Sequence, residues 1–174
     1  MLPLRRLSGT ATIAALAVFA FVTFQAATTA DASGNPKCAT SGLVVWLDTR
    51  GNGAAGSIYY QLKFTNLANH ACQLLGYPGV SAVDLSGHRL GRAASRNRSH
   101  ASSVVTLARG GTGAAVLQII EASNFSRASC HAVTAAGLRV FPPNQTASKV
   151  VPFPFRACSR AGPVYLSVRA VSHA

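Results

Sequence analysis

Residues 57–66, SIYYQLKFTN, are the stretch of sequence that decides the fold class of this chain. Every second residue is a large apolar side chain, giving the set Ile58, Tyr60, Leu62 and Phe64. Mixed polar and aromatic residues take the positions between them. A period of two with one apolar face is typical of a half-buried β-strand.

Similar short runs of β-branched and aromatic residues lie on both sides of this strand, separated by Gly, Pro, Asn or Ser. We predict strands over 43–48, 72–75, 80–85, 103–107, 114–120, 136–141, 148–155 and 164–171. The run 114–120 is apolar on both faces, which indicates a central strand. The run 148–155 contains Pro152 and Pro154, which restrict it to a sheet edge.

The connections are predicted to be turns and loops. Residues 50–56, RGNGAAG, form a glycine-rich turn that ends the first strand, and 91–102 form an exposed polar loop. Residues 121–137 are predicted to form a loop that can hold a short helix. Seven to nine short strands without a long amphipathic helix predict an all-β, immunoglobulin-like antiparallel β-sandwich. A small β-barrel is the alternative.

The first thirty residues are built like a secretory signal peptide. Arg5 and Arg6 precede an apolar stretch from residue 11 to 24 and a run of small residues that ends at Ala30. A retained membrane anchor is the alternative, since a spanning helix needs about 20 apolar residues. We therefore expect a signal peptide at 1–30, a short flexible leader at 31–37 and one domain at 38–174.

Four cysteines lie in the predicted exported part, namely Cys38, Cys72, Cys130 and Cys158. An even number in an exported chain predicts two disulfides. Three pairings are open, and we favour the sequence-nearest one, which is Cys38–Cys72 and Cys130–Cys158. Each would add about 3–4 kcal/mol in the chain-entropy model. Because no C-x-x-C pair is present and the histidines are scattered, we expect no metal site and no cofactor.

The charge is strongly unbalanced, with 16 Lys and Arg against four Asp and Glu. A basic exported chain meets anionic envelope polymers and acidic lipid head groups. The alternative is compositional, since 13 of the 16 basic residues are Arg in a chain rich in Ala and Gly. Charge alone does not decide between a functional and a compositional origin.

The basic loop 88–100 is the one segment in which basic residues cluster more densely than in the rest of the chain. It holds four candidate polyanion-binding residues, Arg89, Arg92, Arg96 and Arg98. Charges spread evenly over the domain would stand roughly 25 Å apart, beyond a Debye length of about 8–10 Å. Clustered arginines could instead bind a polyanion additively. The alternative is a solvated loop, and nucleic acid is disfavoured because the loop lacks aromatic residues for base stacking.

Catalytic motifs are missing from the sequence. Only Asp48, Asp84 and Glu121 lie within or beside predicted strands, and both aspartates are read as turn residues. No G-x-S-x-G motif or phosphate-binding glycine loop occurs. We therefore expect no catalytic residues and no enzyme activity.

A family resemblance rests on Cys38, on FTN at 64–66, on CQLLGYPGV at 72–80, on LARGG at 107–111, and on Cys130 and Cys158. With these segments the chain resembles the actinobacterial secreted family called domain of unknown function 4232, over about residues 38–171. The resemblance implies a secreted or envelope-attached β-sandwich with paired cysteines, and it implies no activity. The cysteine that anchors lipidated relatives is missing, so we expect a secreted or cell-wall protein and not a lipoprotein.

The predicted function is that of an exported, non-catalytic binding or structural module of the cell envelope, expected to be a monomer. The most specific version of this prediction is that residues 88–100 contact a polyanion. An adhesin-like module that binds a protein partner through the sheet edge near 150–155 is one alternative. An envelope enzyme with an unrecognised site is the other.

Overall fold

The structure is a computed structural model that describes residues 34–174, which lie in one compact unit. The predicted signal peptide at 1–30 and the start of the leader fall outside the described residues. Backbone pairing begins at the end of the leader, where Lys37 forms a parallel bridge with Gln73. Cys38 continues it by donating its N–H to the carbonyl of Gln73 at 3.0 Å. Within the described residues, backbone pairing therefore starts at Lys37 and Cys38.

The described chain is built almost entirely from short strands. They are β1 (Leu43–Ala54), β2 (Ser57–Asn66), β3 (Cys72–Leu75), β4 (Gly79–Val83), β5 (Arg89–Leu90), β6 (Ser95–Arg96), β7 (Val104–Leu107), β8 (Thr112–Ile120), β9 (Ala132–Phe141), β10 (Lys149–Cys158), β11 (Leu166–Val168) and β12 (Ser172–His173). One helical turn, α1 (Arg127–Cys130), and two 3-10 turns at Thr40–Gly42 and Ala122–Asn124 complete the elements.

The strands form two main sheets and a ribbon. The larger sheet has the order β1-β2-β8-β11-β6, with β12 also paired to β8, and the smaller has the order β10-β9-β4-β5. β3 and β7 form the ribbon. Paired strands are antiparallel except β6 and β11, which are parallel. The positions of β8 in the middle and β10 at an edge confirm what their sequences predict.

The two main sheets enclose one hydrophobic core. Leu62 and Phe64 from β2 and Leu138 and Val140 from β9 are fully buried in the same cluster. Burial of such side chains is the main favourable term in folding. The predicted antiparallel β-sandwich is therefore confirmed. Within the described residues the sheets are open, so the alternative of a small β-barrel is wrong.

Both predicted disulfides are present, Cys38–Cys72 and Cys130–Cys158. The first joins the segment before β1 to β3, and the second joins α1 to the end of β10. All four cysteines are buried at 2 % exposure or less. The pairing is the sequence-nearest of the three that were open.

The predicted glycine-rich turn at 50–56 is wrong in its extent, because β1 continues to Ala54. A bulge between Asp48 and Asn52 absorbs the irregular residues, and Ala54 then pairs with Ser57. The turn itself is only Ala55 and Gly56, with φ of 47° and 73°. Two positive φ angles in a two-residue loop are typical of a type I′ hairpin, whose twist suits the flanking strands.

The number of strands is also larger than the predicted seven to nine. Residues 34–174 contain twelve, and three of these, β5, β6 and β12, have only two residues. The predicted exposed loop at 91–102 contains β6, although most of its side chains are exposed. Such pairs follow from backbone contact with distant strands, which local periodicity does not reveal.

Candidate functional site

The basic loop 88–100, called here the basic strap, crosses one side of the sandwich. Its first strand, β5, is the edge of the smaller sheet, and its second, β6, is the edge of the larger sheet. The four residues between them therefore step from one sheet to the other. The strap closes this side of the core instead of projecting as a free loop.

Backbone hydrogen bonds hold the strap to both sheets. The N–H of Ala94 donates to the carbonyl of Val80 on β4 at 2.8 Å. The N–H of Asn97 donates to the carbonyl of Val168 on β11 at 2.8 Å. These bonds pair backbone N–H and carbonyl groups that would otherwise lie beside the core without a hydrogen-bond partner.

Gly91 and Tyr165 anchor the middle of the strap. The hydroxyl of Tyr165, a fully buried residue, donates to the carbonyl of Leu90 at 3.2 Å. Burial raises the pKa of Tyr165, so its hydroxyl stays a donor. Gly91 has φ of +63°, and a Cβ there would lie 2.5 Å from the carbonyl oxygen of Cys158. Only glycine fits this approach without strain.

The four predicted arginines are exposed, and within residues 34–174 none of them forms an ion pair or a side-chain hydrogen bond. They are Arg89 on β5, Arg92 after it, Arg96 on β6 and Arg98 beyond it. The guanidinium of Arg96 lies 5.8 Å from the ring centroid of Tyr77. The structure thus places all four along the strap, divided between the two sheet edges.

One acidic residue stands at the start of the strap. Asp84 accepts the backbone N–H of His88 at 2.8 Å, and its other oxygen lies 3.4 Å from Nδ1 of His88. The hydrogen bond from this N–H holds the pKa of Asp84 below its usual range. Asp84 therefore pairs with His88 and leaves the arginines uncompensated.

A second candidate site, which the sequence did not predict, is a cleft of about 670 Å³ at the opposite end of β2 from Asn66. Its lining comes from both sheets and from the α1 region. The lining residues are Ile58, Tyr60, Ile119, Glu121, Ala122, Ser123, Phe125, Arg127, Cys130, His131, Ala132, Phe155 and Arg156. Because they are scattered along the chain, no local motif marks them.

The walls of the cleft are apolar. Ile58 and Tyr60 from β2 face Phe125, which follows the second 3-10 turn, and Phe155 from β10. The Tyr60 ring meets Phe153 at 5.0 Å between centroids, and Phe153 stacks on Phe155 at 5.7 Å. Burial raises the pKa of Tyr60 further above neutral pH, where a tyrosine is already uncharged, so this wall carries no charge. The predicted protein-binding edge thus has its phenylalanines partly buried.

Charged groups occupy the rim of the cleft. Arg156 donates from Nη2 to the carbonyl of Ala132 at 2.9 Å and from Nη1 to Oγ1 of Thr134 at 3.3 Å. These bonds fix the guanidinium and leave three of its five N–H groups free of protein acceptors. Arg127 and Glu121 share the rim. Two guanidiniums against one carboxylate make it cationic.

A serine and a histidine meet beside the cleft. Oγ of Ser159 lies 2.9 Å from Nδ1 of His131 and donates to the carbonyl of the same histidine at 2.9 Å. The single hydroxyl proton of Ser159 has two acceptors within reach, the carbonyl oxygen and Nδ1, and the tautomer of His131 sets the direction of the contact with Nδ1. No carboxylate bonds to this histidine within the described residues. The contact orients His131, whose φ is 48°.

The described residues contain no group of three or more His, Cys, Asp or Glu side chains that could hold a metal ion. Over the same part of the chain, no helix is both long and apolar enough to cross a membrane.

The sandwich and its two disulfides define a class: a disulfide-stabilised all-β domain suited to an oxidising, extracytoplasmic environment. The chain belongs to the family described as Domain of unknown function (DUF4232), whose profile matches residues 38–172. Searches of the curated proteins and of the solved structures each returned no match.

Proposed function

We propose that this protein is an exported, non-catalytic binding module of the cell envelope that contacts anionic polymers through the basic strap. Its ligands are phosphate-bearing or uronate-bearing wall polymers or acidic lipid head groups, and it acts as a monomer in the wall or medium. The observation that carries the proposal is the set of four exposed arginines without acidic partners on one anchored segment.

Anchoring strengthens the case for binding. A free loop would lose backbone entropy when it bound a polymer, at roughly 1–2 kcal/mol for each residue ordered. The strap is already held at Leu90, Ala94 and Asn97. The arginines therefore meet a ligand at little cost in backbone entropy.

Export is the second part of the proposal. It is supported by the basic, apolar and small-residue order of residues 1–30 and by the two disulfides. Cleavage after Ala30 or Ala32 produces an exported chain that begins at residue 31 or 33. Mass spectrometry of the exported protein should give the mass of one of these two chains. An exported chain that retained residues 1–30 would contradict this part.

Co-sedimentation of the purified, oxidised protein with wall and membrane fractions tests the strap. If the strap makes four phosphate-type contacts, raising the salt concentration from about 50 to 200 mM should lower the affinity on the order of 50- to 150-fold. Replacing Arg89, Arg92, Arg96 and Arg98 by Ser should abolish both the binding and its salt dependence.

The matched control has the same net charge. It replaces four exposed basic residues outside the strap and the cleft with Ser: Lys37, Arg50, Arg109 and Arg160. We expect this variant to keep most of the binding. Equal losses in both variants would show that net charge, and not the strap, is responsible.

A further inference from the structure

We propose that the cleft is a binding site for a small amphipathic monoanion, with an apolar body between the two sheets and one carboxylate at the arginine rim. This inference concerns a different site and a different ligand from the polymer contact of the strap. It rests on three observations: the size of the cleft, the chemistry of its walls and the charge of its rim.

The size of the cleft suits a small molecule. Its volume of about 670 Å³ falls within the range of roughly 300–1,000 Å³ typical of small-molecule sites. Elements of both sheets and the α1 region enclose it, and the disulfide at Cys130 fixes α1 to β10. The cavity is therefore largely formed before any ligand arrives.

The walls select an apolar body. Ile58, Ile119, Phe125 and Phe155 present aliphatic and aromatic surface, and Tyr60 beside them is uncharged near pH 7, like any tyrosine with an ordinary or raised pKa. An apolar ligand that displaced water from this surface would gain roughly 25 cal/mol for each Å² buried. A fully hydrated polyanion would gain nothing there.

The rim selects one negative charge. Arg156 is held by Ala132 and Thr134 and keeps three free N–H groups, which match the two oxygens of a carboxylate. Arg127 adds a second guanidinium, while Glu121 opposes any further anion. A monoanion neutralises the excess positive charge.

Calorimetric titration of the purified, oxidised protein with three probes of equal chain length tests the inference. The probes are decanoate and decylammonium, used below their micelle concentrations, and decan-1-ol, used below its solubility limit. We expect saturable binding of decanoate, weaker binding of decan-1-ol by about 10- to 100-fold, and the weakest binding of the cation. No saturable binding, or equal affinity for decanoate and decan-1-ol, would overturn the proposal.

Variants locate the site. Arg127→Gln combined with Arg156→Gln should lower decanoate affinity by about 10- to 100-fold and leave decan-1-ol affinity unchanged. Ser123→Trp, at an exposed lining position, should block both probes. Lys37→Gln combined with Arg109→Gln is the charge control, because it removes two positive charges at exposed residues that do not line the cleft. Unchanged decanoate binding in the double variant would overturn the assignment.

The quadruple strap variant separates this proposal from the polymer proposal. It should bind decanoate like the unmodified protein, since none of its four arginines lines the cleft. Loss of polymer binding without loss of decanoate binding would support both sites. A parallel loss of decanoate binding would contradict the cleft as an independent site.

Discussion

The basic strap and the cleft display cationic side chains in opposite ways. On the strap, four exposed arginines are divided between the edges of the two sheets, and within residues 34–174 one of them, Arg96, lies over an aromatic ring, that of Tyr77. At the cleft, Arg127 and Arg156 stand at the mouth of an apolar cavity. Exposed charges more than a Debye length of about 8 Å from their target are screened by salt, whereas burial of apolar surface is not.

This difference has a functional meaning. The strap offers many weak, additive contacts, which suit a long polymer and a steep salt dependence. The cleft offers one enclosed volume with one excess positive charge, which suits a single small ligand. The two regions are therefore separable by ligand size, by salt and by substitution.

The largest expected effect comes from removing either disulfide by a pair of Cys→Ala substitutions. Loss of Cys38–Cys72 or of Cys130–Cys158 should each lower the free energy of unfolding by about 3–4 kcal/mol, measured by urea denaturation. Only the second loss should also weaken decanoate binding, because Cys130 lines the cleft. Equal effects of both pairs on decanoate binding would mean that the cleft depends on the overall stability of the domain and not on the Cys130–Cys158 bridge.

The next effect isolates the strap. Gly91→Ala would place a Cβ 2.5 Å from the carbonyl oxygen of Cys158 at a φ of +63°, so we expect a loss of about 2–3 kcal/mol. Amide hydrogen exchange should accelerate across the strap before it does so around the cleft. Gly53→Ala is the control, since a Cβ there meets nothing within 4 Å. An unchanged free energy of unfolding in Gly91→Ala would contradict the anchoring.

Local periodicity was sufficient for much of the fold. The alternation of residues 57–66 predicted β2, and the two-sided apolar run at 114–120 predicted the central position of β8. The prolines of 148–155 predicted an edge, which β10 occupies. These features depend on side chains within one strand, which the sequence displays directly.

Features that depend on distant partners were not predictable in the same way. The extension of β1 through Asn52–Ala54 requires pairing with β2, which compensates for the glycines. The cleft joins Tyr60, Phe125, Cys130 and Phe155, which are brought together only by the packing of the two sheets. The strap was visible because its four arginines are neighbours in the chain, but its anchoring was not.

The smallest expected effect concerns the contact between Asp84 and His88 at the start of the strap, and it depends on pH. Because the N–H of His88 lowers the pKa of Asp84 in the folded state, its stabilising contribution is complete above the ordinary aspartate pKa of about 3.9. The contribution is lost as the pH falls through the lower folded value. Asp84→Asn keeps an acceptor oxygen and removes the charge.

Thermal melting at several pH values measures this contribution. Near neutral pH, Asp84→Asn should melt slightly below the unmodified protein, and the gap should close as the pH falls through the lowered pKa of Asp84, where the carboxyl of the unmodified protein gains its proton. Glu121→Gln is the comparison on the cleft rim, because Glu121 makes no side-chain hydrogen bond within residues 34–174 and should show a smaller gap. A difference in melting temperature between the two proteins that stays constant at every pH would mean that the charge of Asp84 does not stabilise the strap. The uncharged hydrogen bonds of the turn at 84–88 would then hold the start of the strap by themselves.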